Sequence, residues 1–358
     1  MNPQMLTLLR ESRGLSGSQL STLSGVPQPL ISKMENGLSP MDADRMAAIA
    51  SALEYPLEVF NWNDQVFGFG NSAFYHRKQQ ALAQGTLRRI QAQVNLIRMR
   101  LVRLLKSIEV DTRFTLPVFD VDEMGGPARV AQAVRAKWLL PLGPVRDMMT
   151  TLEQAGIVVV QSDFGTQRIS AIGFGAVGAC PPTIILNSEH SADRARFTCA
   201  HELGHLVMHA DPAPSETAEA EADAFAAEFL MPERDIRSEL KGINLAKAAQ
   251  MKAAWRVSIA VLIRRARDLK VIDDSRYKSL NVLMSQRGWR KIEPVEIPRE
   301  SPSVVPALLK VHLEDHRYSR DELAKVVGLY PAEFFDRFEI EPAAASADPK
   351  KMHLSLVT

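Results

Sequence analysis

Apolar residues return at three- and four-residue steps over much of the chain, the spacing that places them on one face of a helix. Residues 1–60 show this pattern in short groups, separated by polar breaks at residues 16–18 and 36–40. Over residues 75–108 the spacing runs without a break. The sequence therefore predicts a bundle of short helices at the N-terminal end, followed by one long helix.

The pattern changes in the middle of the chain, where short apolar runs replace the helical spacing. Runs of this kind are typical of strands, and they lie at residues 157–160, 168–172 and 183–186. Helical patterns surround them, at residues 127–138, 144–155, 191–208 and 216–230. The predicted fold is α+β and mostly helical: an N-terminal bundle, a domain with a small sheet, and a helical C-terminal region.

Breaks in the periodicity predict the domain organisation. The stretch after residue 62 is aromatic and aperiodic, and residues 292–306 hold four prolines, so both are interpreted as linkers. The predicted segments are an N-terminal bundle (1–62), a linker (63–74), a long basic helix with its connection (75–126), a central domain (127–290), a second linker (291–306) and a small helical region with a frayed end (307–358).

Composition narrows the possible roles. The formal net charge is +1, so binding to nucleic acid requires a local basic patch rather than an overall field. The sequence contains no run of about 18 apolar residues, so no transmembrane helix is predicted. The N-terminus lacks the pattern of a secretory leader. Cys180 and Cys199 do not form a CxxC pair or a disulfide framework. We expect a cytoplasmic protein without a membrane partner.

The segment CAHELGHLVMH, which begins at Cys199, carries the most specific chemistry. His201 and His205 are four residues apart, so on a helix both face the same side and can reach one Zn²⁺ ion. Glu202 follows the first histidine, where it can take a proton from metal-bound water. Closed structural zinc sites usually use cysteine, so this set of residues favours a catalytic site.

A third ligand is expected on a later helix. The histidine that metzincins place six residues after the second ligand is absent, and an acidic segment (215–232) follows instead. Glu219 is the predicted ligand, and Asp223, four residues later, is predicted to bond the far nitrogen of a ligand histidine. Glu221 competes with Glu219 for the ligand role. His209 is predicted to lie on the substrate side or to support another ligand.

These motifs resemble the ImmA/IrrE family of metallo-endopeptidases. The resemblance rests on IILN (184–187), RARFTCAHELGHLVMH (194–209) and EAEADAFAAEFLMP (219–232), and covers roughly residues 75–290. It implies Zn²⁺, with Mn²⁺ as an alternative metal, held by three ligands, with Glu202 as the catalytic acid and base. The implied ligands are His201, His205 and Glu219. The family also implies cleavage of a repressor-type protein, often of helix-turn-helix class.

Two further roles in the peptidase reaction are predicted from position. The strand before the histidine helix is expected to be an edge strand that pairs with an extended substrate. Its residues are Thr183, Ile184, Ile185 and Leu186. His209 and Tyr277 are the candidates for stabilising the oxyanion.

Residues 5–60 resemble the XRE (Cro/CI-type) helix-turn-helix family. The resemblance is carried by Gln19, Leu20, Gly25, Val26, Ile31, Ser32, Glu35, Asn36 and Gly37. It implies that the helix after Gly25 enters the major groove of double-stranded DNA. Gln28, Ser32 and Lys33 are the predicted DNA contacts, with Gln28 a candidate for reading a base. Proteins of this family commonly bind DNA as dimers, so a homodimer is an option.

The charge balance complicates the DNA-binding interpretation. Residues 1–60 hold four Lys or Arg against six Asp or Glu, although phosphate contacts dominate DNA affinity. Residues 72–108 hold eight Lys or Arg and no acid. These cations either supply the missing charge or form a solvated helix face. Near the C-terminus, residues 322–329 repeat the spacing of residues 19–26, which we interpret as an ordinary helical hairpin with a glycine turn.

Three functions remain open. The first is a DNA-binding regulator with a working zinc endopeptidase that cleaves a repressor in a stress or mobile-element response. The second is a transcription factor whose peptidase-like domain is a non-catalytic sensor or dimerisation scaffold. The third is a peptidase whose N-terminal helices recognise the substrate repressor. The presence of Glu202 favours the first over the second, because a scaffold does not need a general base.

Overall fold

The computed structural model describes residues 1–40, 42–67, 82–106, 108–209, 217–338 and 354–356. The contacts among them divide the chain into two compact units. The first unit joins the N-terminal residues up to 110 to the residues after 304, and the second unit consists of residues 111–304. The predicted linker at 63–74 and the predicted start of the long helix at Tyr75 lie partly outside the described residues.

The first unit begins with α1 (Pro3–Ser12), α2 (Gly17–Ser24), α3 (Gln28–Glu35) and α4 (Ala43–Leu53), followed by a 3₁₀ helix at Leu57–Asn61. Ser16 and Gln19 form a capping box at the start of α2. Gly25 ends this helix with φ of 71°, a left-handed conformation that suits glycine. The side chains at the centre of the bundle are buried: Leu20, Val26 and Ile31. The predicted bundle of short helices is confirmed.

The long helix, α5 (Gln84–Leu105), packs against α1 and leads to a short strand, β1 (Ile108–Val110). Two of its arginines are engaged within the first unit. The buried side chain of Arg100 donates to the carbonyl of Val327 at 2.9 Å. Arg103 pairs with Asp64 at 2.6 Å. These two cations therefore serve the packing of the unit, whereas Arg88 and Lys106 of the same stretch are exposed.

The sheet of the second unit has three described strands: β2 (Val158–Ser162), β3 (Ala171–Phe174) and β4 (Thr183–Asn187). Their order is β2–β4–β3, with β4 parallel to β2 and antiparallel to β3. The expectation that Thr183–Leu186 forms an edge strand is therefore wrong. This strand is hydrogen-bonded on both sides and buried throughout, as its unbroken apolar run requires. Among the described strands, β2 and β3 lie at the two edges.

Helices surround this sheet. They are α6 (Pro127–Lys137), α7 (Met148–Glu153), α8 (Ala192–Met208), α9 (Ala218–Leu230), α10 (Glu233–Ile236), α11 (Leu245–Trp255), α12 (Ile259–Asp268) and α13 (Asp274–Gln286). The histidine helix, α8, packs against β3, β4 and α9, while α6 covers the other side of α9. It therefore lies at the centre of the second unit. Within the described ranges, no helix is both long and apolar enough to cross a membrane.

A strap (residues 291–303) without helix or strand follows α13. Two of its acidic side chains pair with buried cations of the second unit. Glu293 accepts from Lys252 Nζ at 2.7 Å. Glu300 forms a buried ion pair with Arg196 of α8. This segment corresponds to most of the linker predicted at 291–306, but it is held along its length by the domain that precedes it.

The chain then returns to the first unit as α14 (Val304–Glu314), α15 (Arg320–Val326) and α16 (Pro331–Arg337). Ser319 and Glu322 form a capping box at the start of α15. A final strand, β5 (Leu354–Leu356), pairs antiparallel with β1. The predicted helical C-terminal region is confirmed, and it belongs to the same compact unit as the N-terminal helices.

Candidate metal centre

Helix α8 carries the two histidines and the glutamate of the central motif. His201 and His205 lie one turn apart, and their Nε2 atoms are 3.1 Å apart. Only 11% and 12% of these two side chains is exposed. Both imidazoles therefore point at one largely buried location from the same helix face.

Helix α9 brings Glu219 to the same location. Its carboxylate oxygens lie 3.8 Å from His201 Nε2 and 3.4 Å from His205 Nε2. The close approach of the two helices depends on Gly204, because a Cβ there would lie 3.3 Å from the Cα of Ala222. One nitrogen from each histidine and one oxygen of Glu219 thus lie within 4.8 Å of one another.

The spacing of these atoms suits a tetrahedral metal ion. Zn²⁺ binds imidazole nitrogen and carboxylate oxygen at about 2.0–2.2 Å, so neighbouring ligand atoms in a tetrahedral site are about 3.4 Å apart. The two Nε2 atoms are 3.1 Å apart, and each lies 3.4 to 3.8 Å from one of the two oxygens of Glu219, which is around that value. Two imidazoles and one carboxylate are also the donor set of catalytic zinc sites that keep a fourth position for water. The residues present therefore fit zinc.

Asp223 holds the far nitrogen of the first histidine. Its Oδ1 lies 3.0 Å from His201 Nδ1, so the Nδ1–H can donate to the carboxylate and leave Nε2 to face the cluster. Arg264 of α12 binds the other oxygen of Asp223 at 3.2 Å. The sequence predicted the role of Asp223 from its spacing after Glu219. Arg264 was missed, because no local pattern connects it to Asp223, 41 residues earlier on another helix.

His209 holds the far nitrogen of the second histidine. The Nδ1 atoms of His205 and His209 are 3.0 Å apart, and His209 Nε2 lies 2.8 Å from Glu221. The structure therefore places Glu221 beside His209, while Glu219 joins the two histidines. Both candidate third ligands thus lie near the cluster, but they contact different atoms.

Glu202 is almost completely buried, with 3% exposure. One carboxylate oxygen, Oε1, has no hydrogen-bond partner among the described residues. The other, Oε2, lies against β3, where a Cβ at Gly173 would approach it to 2.6 Å. A glycine within a strand often marks such a close approach, so this signal was present in the sequence although Gly173 was not predicted.

The ionisation of the supporting groups follows their contacts. Burial favours neutral His201, but the hydrogen bond to Asp223 and the charge of Glu202 raise the pKa of His201 above its usual value. Burial would raise the pKa of Asp223, but its hydrogen bond to His201 and the nearby Arg264 lower it. Asp223 is therefore ionised at neutral pH, the form that accepts the Nδ1 proton. Burial lowers the pKa of His209.

Two predictions for the peptidase reaction, the substrate strand and Tyr277, are not supported by the described contacts. The strand Thr183–Leu186 is covered on both sides, as described above. Tyr277 on α13 packs at the margin of the core with the Arg267 guanidinium 4.5 Å above its ring. None of its described contacts is with the histidine cluster, so the described geometry gives Tyr277 no part in that cluster.

In the first unit, α3 presents the predicted DNA contacts. Gln28 and Lys33 are exposed, and Ser32 is partly exposed. Basic side chains near them are few, because Arg10 is paired with Glu35 at 2.7 Å. Lys33 forms no ion pair among the described residues and is the main cation that α3 can offer to a phosphate.

Comparison with known families agrees with this division of roles. Residues 6–60 match a helix-turn-helix family model, and residues 152–267 match the model of the IrrE N-terminal-like domain. The second match contains α8 and α9, and therefore every residue of the cluster. A search of curated proteins gives no match. The chain thus carries an XRE-type helix-turn-helix domain and, after it, an IrrE/ImmA-like domain of the metallopeptidase type.

Proposed function

We propose that this protein is a DNA-binding transcriptional regulator whose second unit hydrolyses peptide bonds with zinc held by His201, His205 and Glu219. The observation that supports this most directly is the convergence of their two Nε2 atoms and one carboxylate within 4.8 Å. Asp223 and His209 orient the two imidazoles, since each contacts the nitrogen that faces away from the cluster. Manganese is an alternative ion for the same ligands.

Glu202 is the general acid and base of the proposed reaction. When bound, zinc lowers the pKa of a water toward about 7 and polarises the scissile carbonyl. Oε1 of Glu202, which has no hydrogen-bond partner among the described residues, would accept a proton from the attacking water, and the protonated carboxyl would deliver it to the leaving amine. The absence of a side chain at Gly173 keeps room for this carboxylate beside β3.

The substrate is proposed to bind along β3. This strand lies at the edge of the described sheet, and Gly173 brings it against Glu202. An extended peptide that adds to such an edge gains backbone hydrogen bonds. A photo-crosslinking residue at Phe174 should capture the substrate. The same residue at the exposed Gln161 of β2 serves as the control, and equal capture at both positions would contradict this placement.

The metal site is tested first by elemental analysis of the purified protein. Wild type should hold about one zinc per chain. Glu219→Ala should lose it, because one of three protein ligands is removed, whereas Glu221→Ala should keep it as the matched control. A wild-type protein that takes up neither zinc nor manganese would refute the peptidase proposal. If Glu221→Ala loses the zinc and Glu219→Ala keeps it, Glu221 is the third ligand and Glu219 is not.

The substrate is proposed to be a repressor of helix-turn-helix class, which the protein cleaves in a stress or mobile-element response. Glu202→Gln should bind this protein without cleaving it, because the ligands remain while the base is lost. Proteins captured by Glu202→Gln and absent from a Glu202→Gln/Glu219→Ala double variant are candidate substrates. Each is then incubated with wild type and its fragments are identified by mass spectrometry. No cleavage of any captured protein would count against the proposal.

The main alternative is a regulator in which the second unit is only a sensor or dimerisation scaffold. The scarcity of unpaired cations beside α3 does not distinguish the two functions, because both rely on phosphate contacts. The two functions differ in their dependence on Glu202. If Glu202→Gln restores normal regulation in a deletion strain, the scaffold function is correct. If it does not, while the variant still binds metal and DNA, the peptidase function is correct.

A further inference from the structure

The three C-terminal helices repeat the first three helices in register. Ser16 and Ser319 both cap a helix through a capping box, with Gln19 and Glu322 at the matching third position. Nine residues after each serine comes a glycine in the left-handed conformation. These are Gly25, with φ of 71°, and Gly328, with φ of 67°. The next helix begins three residues after each glycine, at Gln28 and Pro331.

The buried positions also match at this constant separation of 303 residues. Six side chains that pack at the centre of the first three helices have buried counterparts in the last three, whereas Leu8 and Met34 correspond to the partly buried Val311 and the exposed Arg337. The matched pairs are Met5 and Leu308, Leu6 and Leu309, Leu9 and His312, Leu20 and Leu323, Val26 and Leu329, and Ile31 and Phe334. A chance helical hairpin has no reason to share its caps, its turn and its core positions with another part of the chain. The C-terminal helices are therefore better described as a repeat of the N-terminal helices than as an ordinary helical hairpin.

The predicted DNA contacts of α3 have no counterparts of the same chemistry in the sequence of α16. Where α3 carries Gln28, Ser32 and Lys33, α16 carries Pro331, Phe335 and Asp336. These replacements remove the amide that can read a base and replace a cation with an anion. Since DNA binding depends on neutralising phosphates, α16 is unsuited to a DNA groove.

Other residues at the start of α16 contact the N-terminal helices. Glu333 of α16 accepts from Arg13 Nη2 at 2.8 Å, and this arginine also binds the carbonyl of Leu53 at 2.8 Å. The hydroxyl of Tyr330 donates to the carbonyl of Tyr55 at 3.3 Å. Each contact joins the start of α16 to the ends of α1 and α4. These contacts lie away from the exposed residues of α3.

Gly328 adds a steric match to these polar contacts. A Cβ at this position would lie 2.7 Å from the ring of Trp62 and 2.7 Å from a methyl of Val59. Gly328 therefore has two roles: it adopts the left-handed backbone conformation of the turn, and its lack of a side chain permits close packing. At Gly25 nothing lies within 4 Å of such a Cβ.

We propose that residues 304–338 are a second helix-turn-helix unit that has lost DNA binding and serves as the permanent partner of the first helix-turn-helix unit within the same chain. Its helix α16 meets α1 and α4 rather than a DNA groove. The surface of α1 and α4 that it covers is thereby closed to a second copy of the protein. The chain reads DNA with α3 alone.

The partner role is tested by exchanging charges across the contact in the full-length protein. Glu333→Arg places two cations together, so amide hydrogen exchange should rise in both α1 and α16, on the order of tenfold for a contact between charged groups. Arg13→Glu/Glu333→Arg should restore much of the protection. Exposed Asp336→Arg on the same helix is the matched control and should change neither. Faster exchange in α16 with no change in α1, or no rescue in the double variant, would overturn the proposal.

The loss of DNA binding is tested with a mixed-sequence 30-base-pair duplex at low salt. Lys33→Ala should weaken binding several-fold, whereas Lys325→Ala and Arg320→Ala on the C-terminal unit should leave it unchanged. Equal losses in both units would mean that both contact DNA, which would overturn the proposal. If wild type does not bind the duplex, the DNA-binding function itself fails, and the exchange of charges still decides the partner role.

Discussion

The polar residues of the two units are arranged in opposite ways. In the metal centre, His201, His205 and Glu219 face one another, and groups such as Asp223 hold the atoms that face away. In the helix-turn-helix region, arginines turn back onto the chain, as Arg10 does with Glu35. The metal centre is therefore built from its internal contacts, whereas DNA binding depends on the few polar groups that those contacts leave exposed.

This difference predicts which functions are sensitive to single changes. A centre built from internal contacts should lose most of its function when a ligand or the general base is removed, and less when the removed group only supports a ligand. A surface with few cations should lose only a small part of its affinity with each one, since individual phosphate contacts contribute separately.

Removing the general base should have the largest effect. Glu202→Gln should lower the rate of peptide hydrolysis on the order of 10³-fold, because proton transfer by a positioned side chain contributes about 10²–10⁴. Zinc content should remain that of wild type. Glu221→Gln is the control, and its rate should stay within several-fold of wild type. A Glu202→Gln protein that retains normal turnover of an identified substrate would show that another group is the base.

Breaking the buried ion pair of the strap should destabilise the second unit. Glu300→Ala leaves Arg196 with its guanidinium almost fully buried, and an uncompensated buried charge costs about 3–5 kcal/mol. The free energy of unfolding is measured with urea. The exposed Glu296 on the same strap is the control, and Glu296→Ala should change it by less than about 0.5 kcal/mol. Similar free energies of unfolding for both variants would mean that the Glu300–Arg196 ion pair does not stabilise the second unit.

Weakening the support of a ligand should reduce metal affinity without abolishing it. Asp223→Asn should lower zinc affinity about 10–100-fold, the usual cost of losing such a partner. The control is Asp268→Asn, which also removes a contact of Arg264 but does not touch His201. Affinity is measured by competition with a chelator. If both variants bind zinc as wild type does, Asp223 does not act on the metal through His201.

The smallest effect is expected at the DNA surface. Lys33→Ala should reduce the slope of log affinity against log salt concentration by about 1, the contribution of one phosphate contact. Measuring the duplex titration at several salt concentrations gives this slope. Arg45→Ala is the comparison, because Arg45 is exposed but paired with Asp42, and its effect should be smaller. A larger loss for Arg45 would show that paired arginines still contact DNA.

The sequence was informative where one helix carried the signal. The spacing of His201 and His205, and of Glu219 and Asp223, determines which side chains share a face, and the structure brings these residues together. The helix-turn-helix turn at Gly25 was equally local. These elements could be predicted because each depends on residues only a few positions apart.

The sequence was less informative where the outcome depends on strand order or on distant contacts. The segment at 183–186 was placed at an edge, although its apolar run without alternation is typical of a strand covered on both faces. The basic character of α5 suggested a charged surface, but Arg100 reaches a carbonyl 227 residues away. Arg264 was missed for the same reason, since its partner Asp223 lies on another helix.

The strap determines how the protein can be divided for experiments. A fragment that ended at residue 290, the boundary expected from the sequence, would omit Glu293 and Glu300. Arg196 would then lose its buried ion-pair partner, and Lys252 would keep only Asp193 of its two acids. Ending the fragment after residue 303 retains both acids. The choice of that boundary decides whether the peptidase domain is recovered folded.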